Sequence, residues 1–209
     1  FELKTTVAEM VKNNGIESLV IDVRENGGGL IDEAVKIVGY FVPKGTKIVT
    51  TKGRTLQSER TYMTPTEPIF PDMKLAILTN RSSASASEIL AGAIQDLDRG
   101  VVIGERTFGK GLVQTTRELP YGGSLKVTIS KYYIPSGRSI QAIDYTHRNK
   151  DGFAQRIPDS LTNEFKTLKG RTVRDGGGIY PDLFVEPEKN ATISYYLFTN
   201  NLIFDYVNQ

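Results

Sequence analysis

The sequence predicts an α/β fold whose core is built from strand-loop-helix units. Two short apolar runs, at 19–23 and 74–79, each end in a turn of small residues and are followed by a helical pattern. Strands that alternate with helices in this way are typical of α/β architecture. A third observation is a pair of long alternating segments over 113–134, which predicts a β-hairpin beside that core.

The N-terminal half contains one such unit and a strand pair. Apolar residues spaced by three or four positions predict an amphipathic helix over 3–14. The run 19–23 is short, continuous and rich in β-branched residues, which favours a buried strand. The Gly-rich turn 26–29 leads into a helix over about 30–41, and the alternation across 47–63 predicts two strands around a central turn.

A second unit follows. After the strand at 74–79, the small-residue turn 80–84 leads into a helix whose apolar positions continue to Leu97 with helical spacing. A third short strand is predicted at 101–104. The two strands of the predicted hairpin come next, and turn residues at 120–123 join them.

The C-terminal third is less regular. Residues 144–178 are polar and punctuated by glycine without sustained periodicity, which predicts a long connection of the kind that is usually functional or mobile. A final helix is predicted over about 192–207. Because this helix is rich in Tyr, Leu, Ile and Phe, we expect it to pack against another surface.

Composition excludes several classes of protein. The 209 residues include 26 Lys plus Arg against 24 Asp plus Glu, and the basic residues are scattered, so nucleic acid is not an expected partner. The absence of Cys removes disulfides, thiolate nucleophiles and Cys-ligated metals. The single histidine, His147, stands in a polar stretch and is expected to be a solvated surface residue. We therefore expect no cofactor and no metal.

Two turns have the composition of an anion-binding site. The segment 24–29 and the serine run 82–88 each follow the end of a predicted strand and open a helix. Helix N-termini carry free N–H groups, and α/β folds bind ligands at this edge of the sheet. Simpler interpretations remain open: Ser85 or Ser87 as a helix N-cap, and the glycines as a turn that needs positive φ.

A third segment, 104–111, nearly matches a nucleotide-binding P-loop. The match fails because Gly111 lacks the hydroxyl that binds magnesium and because the next residues have no helical pattern. Hydrolysis without His or Cys needs another base, and a lysine kept neutral by desolvation can serve. Lys110, flanked by glycines and apolar residues, is the candidate, and a serine facing its amine would become a nucleophile.

Five motifs follow one another along the chain. They are D-x-R-x-N-x-G-G at 22–29, S-A-S-A-S-E-I at 83–89, G-E-R-T-F-G-K-G-x-V-Q at 104–114, Y-Y-x-P-S-G-R-S-I-Q at 132–141 and G-x-x-P-D at 178–182. In this order they resemble the motifs of the carboxy-terminal processing proteases, also called tail-specific proteases, which are S41 serine peptidases. The resemblance extends from about Phe1 to Val185.

The resemblance implies a ClpP/crotonase-like fold and a serine endopeptidase with a Ser-Lys dyad. Such an enzyme cleaves protein or peptide substrates near extended C-termini. Ser85 matches the family nucleophile, Lys110 matches the base, and Gln114 matches the residue that holds the lysine amine in place.

The oxyanion hole that the resemblance implies uses the backbone N–H of Ala86 and that of Gly28 or Gly29. The residues agree with this assignment, because Ser85 opens a predicted helix and the adjacent N–H groups are then unpaired. One departure is Gly27, where the family more often has Pro. This change is expected to loosen the turn without changing its donors.

The predicted helix also contains two acidic residues, Asp96 and Glu88. Asp96 matches a family position that is discussed together with the catalytic residues. Eleven residues of helix place it about 16 Å from Ser85 along the axis, which favours a structural role. Glu88, one turn from Ser85, is interpreted as a capping-box or first-turn acid.

We expect the whole chain, 1–209, to be one S41 protease core, preceded in the full-length protein by the PDZ domain that family members usually carry. By the same analogy we expect export to a periplasmic or extracytoplasmic location. The glycines around Lys110 and at 27–29 predict mobile loops that need outside contacts. The competing interpretation is a catalytically silent, peptide-binding member, and the joint presence of Ser85, Lys110 and Gln114 argues against it.

Overall fold

A computed structural model describes residues 2–55, 58–187 and 191–208. Phe1 and Gln209, the ends of the predicted domain, lie outside these ranges. The helices of the described ranges are α1 (Glu2–Asn14), α2 (Ile31–Gly39), α3 (Ala86–Asp96), α4 (Thr192–Thr199) and α5 (Leu202–Val207). None of these helices is long and apolar enough to cross a bilayer.

The described strands form two four-stranded sheets and two short hairpins. In chain order they are β1 (Ser18–Asp22), β2 (Lys47–Gly53), β3 (Arg60–Met63), β4 (Lys74–Thr79), β5 (Val101–Gly104), β6 (Leu112–Glu118), β7 (Ser124–Tyr133), β8 (Ile143–Arg148), β9 (Ala154–Arg156), β10 (Glu164–Lys166), β11 (Thr172–Arg174) and β12 (Leu183–Phe184).

The parallel sheet brings the two strand-loop-helix units side by side. Its strand order is β1-β4-β5-β12, with Ile21 opposite Ile77 and Ile77 opposite Val102. Because β1 and β4 are parallel neighbours, the loops that follow them leave the sheet at the same edge. The glycine turn and the serine run therefore meet at that edge, and the predicted α/β fold is confirmed.

Helix α3 lies inside the core and fixes the position of the serine run. All of its residues are buried. Gly92 allows it to approach two isoleucines, since a Cβ at this position would lie 2.7 Å from the Cδ1 atoms of Ile134 and Ile179. Helix α2 packs beside α3. A helix enclosed on every side holds its first residue in a fixed place relative to both sheets.

The antiparallel sheet contains the predicted hairpin. Its strand order is β3-β2-β7-β6, so β6 is an edge strand. The β6 and β7 strands are joined by a short 3-10 turn at Pro120–Gly122. Strand β6 begins two residues after Lys110. The edge of this sheet therefore starts beside the candidate base.

The C-terminal third differs from its prediction in detail. The segment 144–178 contains two hairpins, β8-β9 and β10-β11, which include strands of only three residues. Strands of this length are too short to show an alternating pattern. The single helix predicted over 192–207 is two helices, which meet at Asn201 with a left-handed φ of 55°. Their aromatic side chains are exposed, so the described residues do not provide the expected packing surface.

Candidate active site

The glycine turn and the serine run are hydrogen-bonded to each other. The backbone N–H of Ala84 donates to the carbonyl of Asn26 at 3.0 Å. The hydroxyl of Ser83, a fully buried residue, donates to the carbonyl of Val23 at 2.7 Å. The two loops that leave the parallel sheet at one edge therefore form one structural unit.

Ser85 joins this unit to helix α3 in a strained conformation. Its φ is 58° and its ψ is −117°, a region that residues other than glycine rarely occupy. Such a backbone costs about 1–3 kcal/mol and persists only where the surrounding contacts enforce it. Ser85 is half-buried at the N-terminus of α3.

One glycine of the first motif passes so close to the serine turn that no side chain fits. Gly28 has a φ of 95°, and a Cβ there would lie 2.5 Å from the Ala84 carbonyl oxygen and 2.7 Å from the Ala86 nitrogen. Gly27 and Gly29 have open space at the corresponding positions. The close approach therefore requires glycine at position 28 but not at its two neighbours.

The N–H groups beside Ser85 differ in their availability. The N–H of Gly28 donates to the side-chain oxygen of Asn26 at 2.9 Å. Within the described residues, the N–H groups of Gly29 and Ala86 make no hydrogen bond. The N–H of Ala86 belongs to the first turn of α3, where no intrahelical acceptor exists. Sequence analysis left Gly28 and Gly29 as alternatives, and the hydrogen bonds leave the Gly29 donor unoccupied.

Glu88 connects the serine turn to the loop that carries Lys110. Its Oε2 atom accepts hydrogen bonds from the backbone N–H groups of Ser85 at 2.9 Å and Lys110 at 2.8 Å. Its Oε1 atom accepts from the Thr107 hydroxyl at 2.6 Å and from the Gly109 N–H at 2.7 Å. The bond to the Ser85 N–H is the capping-box contact that the sequence predicts. The bonds to the lysine loop have no signal in the sequence, and through them this one carboxylate holds both candidate catalytic segments.

The burial of Glu88 and the donors around it act on its pKa in opposite directions. Glu88 is fully buried, and this burial raises its pKa, while the hydrogen bond from Thr107 and those from the backbone oppose the shift. Each of the three backbone N–H groups can donate a hydrogen bond but cannot accept one. These donors therefore favour the ionised carboxylate and limit the rise in pKa that burial causes.

The lysine loop is held by further contacts within the chain. The N–H of Phe108 donates to the Ser83 carbonyl at 3.0 Å, and the N–H of Gly111 donates to the Gln141 side-chain oxygen at 2.8 Å. The glycines of this loop predicted a mobile segment in need of outside contacts. The structure instead supplies those contacts from the serine run and from the fourth motif.

The fifth motif supports the same loop from its other side. The N–H of Thr107 donates to the Ile179 carbonyl at 3.1 Å, and the N–H of Ile179 donates to the Thr107 hydroxyl at 2.6 Å. The Arg106 side chain donates to the Gly177 carbonyl at 2.5 Å. All five motifs therefore converge on one region, although they are spread over 161 residues of sequence, from 22 to 182.

Tyr132, in β7, adds a contact that sequence analysis did not identify. Its hydroxyl contacts the carbonyl oxygens of Lys110 and of Ser85, the latter at 3.2 Å. Tyr132 is 1% exposed. Desolvation raises its pKa well above the ordinary value, and the charge of Glu88 adds to the shift. The hydroxyl therefore keeps its proton and acts as a donor.

Gln114 lies on the exposed side of β6. Its Nε2 atom is 3.4 Å from the Thr128 hydroxyl in the neighbouring strand. Within the described residues no hydrogen bond joins Gln114 to Lys110. Both Gln114 and Thr128 line a cleft of about 740 Å³ between this sheet and the β8-β9 hairpin. The role assigned to Gln114 stays a prediction.

Asp96 lies at the opposite end of α3 from Ser85. It forms a buried ion pair with Arg138 at 2.8 Å, and its second oxygen accepts from the backbone N–H of Ser136 at 3.0 Å. These contacts connect α3 to the fourth motif. Asp96 therefore has a structural role at the end of α3 that is remote from the serine turn.

His147 and the P-loop resemblance have no part in this arrangement. His147 is exposed and pairs with Asp144 at 2.7 Å, which lowers the pKa of Asp144 to about 2. The segment after Lys110 is the strand β6 rather than the helix that a P-loop requires. Across the described ranges, no group of three or more Asp, Glu or His side chains is placed to hold a metal ion.

A serine on a strained turn beside unpaired N–H groups is the arrangement by which serine hydrolases attack a carbonyl and hold the resulting oxyanion. The sequence matches the model of peptidase family S41 over residues 2–147, which is more than half of the chain. The chain therefore belongs to peptidase family S41.

Curated relatives agree with this assignment. A protein of Staphylococcus haemolyticus described as a CtpA-like serine protease is 44% identical over 140 residues, which cover 66% of this chain and 28% of the relative. A protein of Staphylococcus epidermidis with the same description is 42% identical over the same shares. The chain thus spans about 28% of the length of these relatives.

Solved structures show the same fold. The photosystem II D1 C-terminal processing protease matches with a TM-score of 0.63 and 31% identity, covering 88% of this chain and 39% of that one. An S41 protease of Bacteroides fragilis matches with a TM-score of 0.60 and 13% identity, covering 88% and 42%. At that identity the second match shows the fold alone.

Proposed function

We propose that this chain is the catalytic core of a C-terminal processing serine endopeptidase in which Ser85 is the nucleophile and Lys110 is the general base. The observation that carries the proposal is the shared acceptor: the N–H groups of Ser85 and Lys110 both donate to Oε2 of Glu88. A buried carboxylate of this kind keeps two segments together that are 25 residues apart in sequence.

The chemistry proceeds in two halves. The neutral amine of Lys110 accepts the Ser85 hydroxyl proton as the serine oxygen attacks the scissile carbonyl carbon. The resulting lysine ammonium donates this proton to the leaving amine when the peptide C–N bond breaks, which leaves an acyl ester on Ser85. A water molecule then attacks the ester carbonyl carbon and loses its proton to Lys110. The ester C–O bond breaks as the lysine ammonium returns this proton to the Ser85 oxygen, which releases the new C-terminus and regenerates the free serine and the neutral amine.

The oxyanion of each tetrahedral intermediate is proposed to bind the N–H groups of Ala86 and Gly29. Both donors make no hydrogen bond within the described residues, which supports their assignment. Gly28 has a different task, because its own N–H is occupied by Asn26 and its missing side chain makes space for the serine turn. Two such preorganised donors are the usual requirement for acyl transfer.

Gln114 is proposed to orient the Lys110 amine during turnover. Its side chain is exposed, and its hydrogen bond to the Thr128 hydroxyl is long, at 3.4 Å. Because so long a hydrogen bond is weak, rotation of the Gln114 side chain towards the lysine costs little. Gln114 lies four residues after Lys110, in strand β6, which follows the lysine loop. The family resemblance of the motif at 104–114 supports this role.

Substrates are proposed to be protein or peptide chains with extended C-termini. Strand β6 is the edge of its sheet and starts beside the candidate base, so an extended peptide can pair with it by strand addition. The solved relative that processes a C-terminus supports the same class of substrate.

The full-length protein is proposed to include an upstream PDZ domain that captures the substrate tail, and to act outside the cytoplasm, in the periplasm or an equivalent compartment. Both proposals rest on the family resemblance. The curated relatives are several times longer than the matched segment, which leaves room for such a domain.

Hydrolysis of a protein substrate such as casein, and of short chromogenic peptides, tests this function. We expect Ser85→Ala and Lys110→Ala each to abolish turnover, because nucleophile and base act as one unit. Ser82→Ala is the matched control, since Ser82 belongs to the same run but lies three residues before Ser85, the N-cap of helix α3. Retained turnover in a folded Ser85→Ala protein, or no turnover by the unsubstituted chain, would contradict the proposal.

A further inference from the structure

The hydroxyl of Tyr132 lies where the serine turn and the lysine loop come together. It contacts the carbonyl oxygens of Ser85, at 3.2 Å, and of Lys110. Tyr132 belongs to β7 and is 1% exposed, so the hydroxyl approaches these carbonyls from inside the protein and not from the substrate side.

This contact completes a pattern that begins with Glu88. Glu88 Oε2 accepts the N–H groups of Ser85 and Lys110, and Tyr132 contacts the carbonyl groups of the same two residues. The carboxylate therefore accepts from the N–H groups of both residues, and the single O–H of the phenol lies within hydrogen-bond distance of both carbonyls. The carbonyl of Ser85 also accepts the helical N–H groups of Glu88 and Ile89. Among the residues that the structure describes, Tyr132 is the one donor to the carbonyl of Lys110.

The chemistry of the surroundings fixes the phenol in its protonated form. Two carbonyl oxygens face it, and both are acceptors. Burial and the nearby negative charge raise the pKa of Tyr132. Phenylalanine at this position would fill the same space and leave the Lys110 carbonyl without a donor.

We propose that Tyr132 is a positioning residue that fixes the separation of the nucleophile Ser85 and the base Lys110. The inference rests on the proposed function and deepens it. Displacement of a catalytic group by about 1 Å is enough to cost 100-fold in rate. Because Tyr132 acts on the backbone of the two residues from within the core, its loss affects the chemical step and leaves substrate binding unchanged.

Tyr132→Phe removes only the hydroxyl oxygen. The backbone pairing of Tyr132 with Thr51 in β2 and its N–H bond to the Gly111 carbonyl, 3.0 Å long, do not involve that atom. Tyr62→Phe is the matched control, since Tyr62 lies in β3 of the same sheet and is half-buried against the core. A general effect of replacing tyrosine by phenylalanine in this sheet would appear in both variants.

The experiment compares kcat and KM for a short chromogenic peptide in the three proteins. We expect Tyr132→Phe to lower kcat by at least about tenfold with KM within about twofold, and Tyr62→Phe to change neither. Replacement of Tyr132 by 4-aminophenylalanine, which keeps an N–H donor at the same place, should restore most of the lost kcat. That rescue separates a donor to the carbonyls from ring packing.

Three results would overturn the inference: a kcat for Tyr132→Phe within about twofold of the unsubstituted chain, an equal loss in Tyr62→Phe, or no rescue by 4-aminophenylalanine in a folded protein. Failure of the proposed function has a different signature, since it would appear as absent turnover in the unsubstituted chain or as turnover retained by Ser85→Ala.

Discussion

Ser85 and Lys110 donate their backbone N–H groups to the same carboxylate oxygen of Glu88, at 2.9 and 2.8 Å. The nucleophile turn and the base loop are therefore held through their main chains, independently of where the two side chains point. This arrangement explains how a strained serine and a glycine-flanked lysine keep a fixed relation within one chain.

Glu88→Gln is expected to lower kcat by about 100-fold, because a side-chain amide presents an N–H donor where an oxygen accepted hydrogen bonds. The same change should cost about 1–3 kcal/mol of unfolding free energy. Glu33→Gln, an exposed change in α2, serves as the control for both measurements. Wild-type turnover in Glu88→Gln would show that the shared acceptor does not position the two residues.

The buried carboxylate also predicts a direction for the pH dependence of stability. Burial raises the pKa of Glu88 above its ordinary value of 4.5, so the folded state binds this proton more readily than the unfolded state. The contribution of Glu88 to unfolding free energy is therefore fully present below 4.5 and is lost as the pH rises through the raised value. The unfolding free energy of the unsubstituted chain minus that of Glu88→Gln should therefore fall as the pH rises above 4.5. Urea denaturation at a series of pH values measures this difference. A difference that grows with pH would contradict the shift.

Gly28→Ala should inactivate the protein, whereas Gly27→Ala should not. A Cβ at Gly28 would lie 2.5 Å from the Ala84 carbonyl oxygen, and a Cβ at Gly27 would meet nothing within 4 Å. Moving one loop of an oxyanion site away from the other costs about 100-fold or more in kcat. Peptide hydrolysis by the two variants, with far-UV circular dichroism to verify folding, measures the contrast. Equal activities would show that the two loops do not need their close approach.

The strain at Ser85 predicts a stability difference between two inactive variants. Alanine at this position retains the conformational strain of φ 58° and ψ −117°. Glycine removes this strain, but it also increases the conformational entropy of the unfolded chain. We expect the free energy of unfolding of Ser85→Gly to exceed that of Ser85→Ala by about 1 kcal/mol. Thermal or urea unfolding compares them directly, and a less stable glycine variant would argue against a strained native backbone.

The sequence predicts the strand-loop-helix units that position the site, because each unit is a contiguous segment with its own composition and hydrophobic periodicity. The strand at 19–23, the turn at 26–29 and the helix that begins at the serine run each have composition and periodicity that fit one structure. The five motifs then identified Ser85 and Lys110 by resemblance.

Other features depend on contacts between distant residues and leave no local signal. Glu88 looks like a helix N-terminal acid, and its bond to Lys110, 22 residues away, forms only after the chain returns past β5. Tyr132 has the pattern of an ordinary buried strand residue. The short hairpins within 144–178 and the break at Asn201 are set by turns that no periodicity describes.

Covalent labelling shows whether Ser85 is a nucleophile that Lys110 activates. The chain is treated with a fluorophosphonate, and its peptides are mapped by mass spectrometry beside those of Lys110→Ala and Ser82→Ala. We expect one adduct, on Ser85, that forms at the same rate in Ser82→Ala and is lost or strongly slowed in Lys110→Ala. An adduct on another serine, or labelling of Ser85 at an unchanged rate in Lys110→Ala, would contradict it.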